Sequence, residues 1–290
     1  SHNLVLIIRR DEVHDHEFWM EVISGCEEEA RRAGYDLVTR PLAREEMEQK
    51  PVLDHVAGLI VAGSRARPAM DHYLAAGIPA VLITYPHPLE KIDSVTIADW
   101  EGGYAMAHHL IELGHRRLAF VTDTPEKPSH AWRYAGFRAR VERQDDARLI
   151  QLHIDADAPG ASFEQQFMKL AGSDQRPTAV FCATDGLALT VMWALNRNGL
   201  TVPGDVSVAG CNDILEAQRS TPKLTTLQIP KRALGSQAVS LLIDMIEGRR
   251  RLDVPRRISL MPSLILREST AAPRPVRRIS REPMVVRPNG

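Results

Sequence analysis

Short apolar runs alternate with segments of helical periodicity along most of this chain. The run Leu4–Ile8 is typical of a buried strand, and apolar residues recur at helical spacing from Glu17 to Ala33, where Gly34 ends the helix. The same alternation continues downstream. It predicts strands over 36–39, 57–61, 79–83, 94–97, 118–121, 149–152, 179–182 and 206–209, helices over 101–113, 131–142, 163–171, 186–196 and 230–247, and two short strands near 258 and 265.

This alternation predicts an α/β protein with parallel sheets that are covered by helices on both faces. The strands form two series of about five, which indicates two similar lobes with a break near Leu113–His115. The periodicity alone leaves open which lobe the elements after residue 230 join. From Ser269 to Gly290 the chain is rich in Pro and Arg and has no periodicity, so we expect a loosely ordered, solvated tail.

Bulk composition fits a two-lobed globular protein and narrows its class. The chain has 290 residues, of which 44% are hydrophobic and 25% charged, and a formal net charge of −1. That charge gives no basic footprint for nucleic acid, and no apolar run reaches the about 18 residues of a membrane helix. Cys26, Cys182 and Cys211 are too few and too scattered for a disulfide framework or a zinc site. We therefore expect a cytoplasmic protein without a membrane association.

Motifs that would indicate an enzyme or a cofactor are missing from the sequence. No Gly-x-Gly-x-x-Gly follows a strand, and neither a P-loop nor a nucleophile elbow occurs. The loop from Arg9 to Glu17 holds His14, His16 and several carboxylates, which raises the possibility of a metal site. Those groups are crowded on one loop with no partner motif elsewhere, so we expect neither a metal, nor a cofactor, nor catalysis.

Five motifs, in this order and spacing, give the chain a recognisable family character. They are Glu101–Tyr104 followed by His109–Phe120, then Arg133–Phe137, Thr184–Gly186, Val202–Gly210 and Pro222–Leu227. Together they closely resemble the effector-binding core of the lactose/galactose repressor (LacI/GalR) family of transcriptional regulators. The resemblance extends from about residue 3 to residue 268.

The resemblance implies a type I periplasmic-binding-protein-like fold. In that fold two doubly wound parallel-sheet lobes are joined by three crossing segments, with a ligand cleft between them. It places residues 1–113 and 230–257 in the N-terminal lobe and residues 114–229 and 258–268 in the C-terminal lobe, followed by the tail 269–290. The crossings are expected near Leu113, Ile229 and Ile258.

The resemblance also implies an effector-binding and dimerisation domain. Such a domain senses a small molecule, with a sugar as first choice and a purine as second, and changes operator affinity allosterically. A homodimer would contact operator DNA through an N-terminal helix-turn-helix domain, and nothing like that domain precedes Asn3. The alternative is a periplasmic sugar-binding protein of an uptake system. The missing signal sequence and the segments Gly114–Arg117 and Pro222–Thr226 speak against that alternative.

Aromatic and arginine side chains are the first predicted ligand contacts. Phe18 and Trp19 stand where the family often has two aromatics facing the cleft, and a ring face stacks on a sugar or a flat base. Adjacent helical positions point in different directions, so we expect one of the two to contact ligand. The alternative is that both are core residues of the first helix. Trp100 is a further candidate. Arg133 matches the family's cleft arginine, although an exposed helical arginine is the simpler alternative.

Polar side chains at strand ends complete the predicted ligand set. Asp185 follows a second-lobe strand, where it could instead cap the next helix. Asn212 stands where the family usually has Asp, so it offers a neutral donor and acceptor in place of a charge. Ser64, Asp99 and Asp11 are weaker candidates, because Ser64 could only shape a turn, Asp99 could only cap a helix and Asp11 lies on an unusually charged loop.

Overall fold

Twelve strands and eight α-helices occur in the part of the chain that the computed structural model describes, residues 3–10, 16–46, 55–63, 67–83, 91–171, 173, 175–249 and 254–275. The strands are β1 (Asn3–Arg9), β2 (Asp36–Leu42), β3 (Val56–Ala62), β4 (Ala80–Ile83), β5 (Asp93–Ile97), β6 (Arg117–Thr122), β7 (Arg148–His153), β8 (Ala179–Cys182), β9 (Ser207–Cys211), β10 (Thr225–Gln228), β11 (Arg257–Leu260) and β12 (Ser263–Ile265). The helices are α1 (His16–Arg32), α2 (Arg67–Ala75), α3 (Asp99–Glu112), α4 (Pro128–Val141), α5 (Pro159–Ala171), α6 (Asp185–Arg197), α7 (Leu215–Arg219) and α8 (Lys231–Ile246).

The strands form two sheets of the same design. The first has the order β11-β5-β4-β3-β1-β2 and the second has the order β12-β10-β9-β8-β6-β7. The ladders from β1 to β5, the β5–β11 ladder and those from β6 to β10 are parallel. The predicted α/β fold with two similar parallel sheets is therefore confirmed, and each sheet gains one edge strand from the late part of the chain.

The first compact unit comprises Ser1–Asp99 and Ile229–Ser263. Helix α2 covers one face of its sheet, where Met70 and Tyr73 pack on alternate residues of β1 and β3. Helices α1 and α8 pack together elsewhere in this unit, and α8 also contacts β3, β4 and β5. Gly25 and Gly235 permit the approach of α1 and α8, because a Cβ at either position would lie about 2.1 Å from a backbone oxygen of the other helix.

The second compact unit comprises Trp100–Gln228 and Leu264–Gly290. Its core holds an aromatic cluster in which the Phe120 and Phe181 rings lie 5.4 Å apart and the Phe137 and Phe181 rings 5.2 Å apart. Two glycines bring α3 against α4. A Cβ on Gly103 would lie 2.0 Å from the Arg133 backbone oxygen, and one on Gly136 would lie 1.8 Å from the Trp100 backbone oxygen.

The division between the units differs from the expected one in two places. It falls between Asp99 and Trp100 rather than near Leu113, because α3 packs on α4 and so belongs with the second unit. The other difference concerns β11, which was expected in the second lobe. It pairs with β5 in the first sheet, so this crossing follows Ser263.

The first residues of the predicted tail are packed rather than loose. The Ser269 hydroxyl accepts from the Thr225 amide at 2.8 Å and donates to the Val208 carbonyl at 2.6 Å. The Ala271 amide donates to the Ser207 hydroxyl at 3.0 Å. The amino-acid composition of the tail could not indicate these contacts, because they are made mainly by backbone groups and small hydroxyls. The rest of the tail, residues 276–290, lies outside the described residues.

A buried histidine anchors this segment to the second sheet. His115 Nδ1 lies 2.9 Å from the Thr178 hydroxyl, and its Nε2 lies 3.1 Å from the Ser207 hydroxyl and 2.9 Å from the Ala271 carbonyl. Burial lowers the pKa of His115 to about 4, so the ring is neutral at physiological pH. Both ring nitrogens have protein partners, which makes His115 a structural residue.

Candidate functional site

Polar residues follow neighbouring strands of the second sheet at their carboxyl ends. Residues Ala183 to Asp185 follow β8, and Asn212 and Asp213 follow β9, its neighbour in the sheet. In open parallel sheets ligands bind beyond these strand ends. Thr184, with extended backbone, caps α6 by accepting from the Leu187 amide at 3.3 Å. The alternative of Asp185 as the helix cap is therefore wrong.

Asp185 joins three parts of this edge. One carboxylate oxygen accepts from the Thr226 hydroxyl at 2.5 Å, and the other accepts from the Ile214 amide at 3.0 Å. The side chain is fully buried. Burial raises the pKa of Asp185 from 3.8 to about 6; the hydrogen bonds from Thr226 and Ile214 offset part of that rise, and the Asp213 carboxylate adds to it. Asp185 is thus a structural residue that links the Thr226 and Ile214 segments, and its role as a ligand contact stays a prediction.

Asn212 and Asp213 form a tight corner after β9. Both have positive φ, 123° for Asn212 and 52° for Asp213, and the Asn212 amide donates to the Leu227 carbonyl at 2.9 Å. Asparagine and aspartate tolerate this backbone better than most residues. The Asp213 carboxylate accepts from Arg267 at 2.6 Å and from Gln228 at 2.8 Å. Its charge is therefore neutralised inside the unit.

The side chain of Asn212 remains available for recognition. It is only 8% exposed, yet none of the residues that the structure describes hydrogen-bonds its side-chain amide. Buried polar groups usually have partners, so an open amide at a strand end fits a ligand contact. The structure thus agrees with the prediction for Asn212 without testing it.

Arg133 reaches this edge from α4. Its side chain is 4% exposed, and its guanidinium donates to the Ala183 carbonyl at 2.5 Å, immediately beyond β8. The alternative of an exposed helical arginine is therefore wrong. Since β8 and β9 are neighbours, the guanidinium of Arg133 and the residue Asn212 lie at the carboxyl ends of adjacent strands.

His130 lies one helical turn before Arg133 and is not among the predicted ligand residues. The side chain is buried, and its Nδ1 lies 2.9 Å from the Thr122 hydroxyl at the end of β6. Burial, together with the positive charges of Arg133 and Lys127, lowers the pKa of His130 to about 2. The only hint in the sequence was the spacing of three residues from Arg133, which puts both on one helix face.

The remaining predicted residues are distributed over both units. Phe18 and Trp19 lie in the first turn of α1, with ring centroids 5.1 Å apart and an edge-to-face angle of 86°. Asp99 is buried at the start of α3, whereas Trp100 is partly exposed and stacks on Tyr104 with centroids 5.3 Å apart. Asp11, Ser64 and most of the loop considered for a metal lie outside the described residues.

A cavity of about 490 Å³ lies in the first unit, away from the strand ends discussed above. Ala57, Ala80 and Asp93 line it, so it lies at the amino ends of β3, β4 and β5. Its walls are mainly apolar, and it contains none of the predicted ligand residues. Ligand recognition in parallel sheets favours the opposite, carboxyl ends.

No helix in the described ranges is long and apolar enough to cross a bilayer.

Transcriptional regulators are among the known proteins with similar sequences and structures. A model described as a periplasmic binding protein-like domain matches residues 107–270. The arabinose metabolism transcriptional repressor of Geobacillus stearothermophilus is 31% identical over 268 residues, covering 86% of this chain and 72% of the relative. A transcriptional regulator CelR–cellobiose complex superposes with a TM-score of 0.79 at 23% identity, covering 93% of this chain and 84% of that one. The lac repressor dimer bound to operator and the anti-inducer ONPF gives a TM-score of 0.77 at 24% identity, covering 94% and 95%. These two solved structures share the fold.

Proposed function

Because the chain belongs to the lactose/galactose repressor (LacI/GalR) family, we propose that it is an effector-binding domain that senses a small molecule and changes operator affinity. One structural observation supports this proposal independently of the family membership. The guanidinium of Arg133 and the open amide of Asn212 stand at the ends of adjacent strands, where a parallel sheet binds ligands. No reactive nucleophile or metal cluster is needed for such a role, and the chemistry is recognition.

A sugar is the first choice of effector. Asn212 is neutral and both donates and accepts, which suits hydroxyl groups better than it suits a charged group. The aromatic rings of Trp19 and Trp100 are partly exposed and offer faces for stacking on a sugar ring. The arabinose metabolism repressor and the CelR–cellobiose complex point to the same class. A purine is the second choice, because Phe18–Trp19 and Trp100–Tyr104 resemble the sequence of the purine repressor at those points.

The proposed mechanism is a population shift. The effector binds one of two conformations more tightly and so changes the fraction that is competent for operator binding. We propose that the domain acts in the cytoplasm as a homodimer, because operators with two half-sites require two-fold protein symmetry. Trp193 on α6, which is 55% exposed, is the type of aromatic residue enriched at protein interfaces.

The runner-up is a sugar-binding protein of an uptake system, which would have the same fold. The relative from Geobacillus stearothermophilus, at 31% identity, is a transcriptional repressor, which favours regulation. Catalysis is not part of the proposal. Incubation of the protein with each bound compound should return that compound unchanged, and consumption of any of them would replace the sensing role with an enzymatic one.

Loss of the Arg133 guanidinium tests the site directly. A thermal-shift screen against L-arabinose, D-ribose, cellobiose and hypoxanthine should give a hit, since a ligand at 100 times its Kd stabilises by about 2.7 kcal/mol. Arg133→Ala should lose that shift. Arg138→Ala is the matched control, because Arg138 lies on the same helix with its side chain exposed and paired with Glu142.

Folding of the variant must be measured in parallel. Arg133→Ala leaves the Ala183 carbonyl without its partner, which costs about 1–3 kcal/mol, so the ligand-free Tm will fall by a few degrees. Near-ultraviolet circular dichroism should stay unchanged. If a hit compound binds Arg133→Ala as tightly as it binds the wild type, Arg133 is not in the site.

A further inference from the structure

Among the described residues of this unit, His130 is the buried histidine with hydrogen-bond partners for only one of its two ring nitrogens. Its side chain is 2% exposed, and its Nε2 is buried with no hydrogen-bond partner. His115 in the same unit is the contrast, because both of its nitrogens bond to Thr178, Ser207 or Ala271. A buried polar atom without a partner calls for an explanation, and an absent ligand is one.

The hydrogen bonds around Nδ1 define which ring nitrogen carries the proton. The Thr124 hydroxyl donates to the Asp123 carboxylate at 2.9 Å, so toward His130 Nδ1, 3.2 Å away, it can only accept. Nδ1 must therefore be the N–H donor toward Thr124 and Thr122. The Asp123 carboxylate, 4.0 Å from Nδ1, favours the same tautomer.

Nε2 is consequently a bare acceptor. Burial and the neighbouring cations keep the pKa of His130 near 2, so the ring does not gain a second proton at physiological pH. A neutral ring protonated at Nδ1 presents only a lone pair at Nε2. That lone pair attracts a hydroxyl or an N–H group and repels the oxygens of a carboxylate or phosphate.

We infer that Nε2 of His130 accepts a hydrogen bond from an uncharged hydroxyl or N–H group of the effector, next to the guanidinium of Arg133. This inference rests on the proposed function and narrows it. A sugar hydroxyl can donate to Nε2 and accept from Arg133 at the same time, whereas an anionic group satisfies only the arginine. His130 thereby selects a neutral, hydroxylated or N–H-bearing compound.

Burial of the ring links recognition to a conformational change. In this conformation other atoms cover Nε2, so an effector reaches it only when that cover is displaced. Binding at Nε2 therefore favours one conformation over another, which is the requirement for an allosteric effector.

Two substitutions of His130 distinguish the roles of its two ring nitrogens. The His130→Asn side chain is short and places its amide where Nδ1 was, so it keeps the contact with Thr122 and removes the distal acceptor. The His130→Gln side chain is longer and restores a carbonyl oxygen near the Nε2 position. Isothermal titration of L-arabinose, D-ribose, cellobiose and hypoxanthine into the whole chain should show about tenfold weaker binding for His130→Asn, as for one lost hydrogen bond, with most of it recovered in His130→Gln.

Nitrogen-15 NMR of the histidine side chains supplies a readout that needs no ligand. In the free protein His130 should be protonated at Nδ1 and bare at Nε2, and a compound that binds should shift the Nε2 resonance. The tautomer with hydrogen on Nε2 would overturn the inference. So would a hit compound whose affinity for His130→Asn equals that for the wild type, and in that case the proposed function still stands. If none of the four compounds binds the wild type, the proposed effector classes fail, and the tautomer of the free protein alone decides the inference.

Discussion

Replacing Asp185 by asparagine should stabilise the protein at neutral pH. The carboxylate is fully buried, and its pKa rises from 3.8 to about 6. One pKa unit corresponds to about 1.4 kcal/mol, so the buried charge costs the folded state about 3 kcal/mol above pH 7, to order of magnitude. Asparagine can keep both contacts, because its oxygen accepts from the Ile214 amide while its amino group donates to the Thr226 hydroxyl.

The sign of the pH dependence follows from linkage. A carboxyl whose pKa is higher in the folded state binds protons more readily there, so this group adds stability as pH falls from 7 toward 4. The advantage of Asp185→Asn should thus be largest above pH 7 and shrink toward pH 4, with roughly half of the change between pH 8 and pH 5. His115 acts in the opposite sense, because its pKa is lowered and its contribution is lost as pH falls below 6.5 toward 4. The effect of His115 is the same in the wild type and in Asp185→Asn, so it cancels in the difference between their free energies of unfolding.

Urea denaturation of wild type and variant at four pH values between 5 and 8 measures this difference. Asp146→Asn is a suitable control, since Asp146 is exposed and a hydrogen bond from Gln144 lowers its pKa. No gain at neutral pH is expected from that control. A difference between wild type and Asp185→Asn that stays constant across the range would refute the assignment of a buried charge to Asp185.

Two further predictions concern packing in the second unit. Gly136→Ala should destabilise by about 3 kcal/mol in urea denaturation, because its Cβ would lie 1.8 Å from the Trp100 carbonyl oxygen and would force α3 and α4 apart. Gly186→Ala, whose Cβ meets nothing within 4 Å, should be neutral or stabilising, and equal losses at both sites would contradict the packing argument. His115→Ala should cost about 2 kcal/mol or more and speed proteolytic release of the segment after Ser269, whereas an unchanged cleavage rate would show that His115 does not hold that segment.

The fold was largely predictable because strand and helix periodicities are local. Buried parallel strands are short apolar runs, and every predicted run became a strand. β10 was missed as a strand because Thr225 and Thr226 are polar, although both are fully buried. The partner of each late strand was not predictable, because pairing of β11 with β5 joins residues about 160 positions apart and depends on tertiary packing.

The candidate site was predictable to a smaller extent. Motif resemblance pointed to Arg133 and Asn212, and their burial and surroundings fit that expectation without testing it. The hydrogen bonds of Asp185 with Thr226 and Ile214 could not be predicted from the sequence, since they depend on three chain segments meeting at one point. His130 was missed because a single histidine in a helix has no distinctive pattern. Its importance arises only from which of its two nitrogens is satisfied.

The late arrival of β11 and β12 has a consequence for biosynthesis. Each sheet is completed by an edge strand that the ribosome makes only after residue 256. The hydrogen bond between His115 and the Ala271 carbonyl cannot form until Ala271 has been made. Until then a nascent chain exposes the edges of β5 and β10, which are open to pairing with other chains. Neither unit can therefore complete its fold during most of translation. A premature stop codon before the last edge strands would remove the finishing strand of both units at once, so even late truncations should behave as complete losses of the protein.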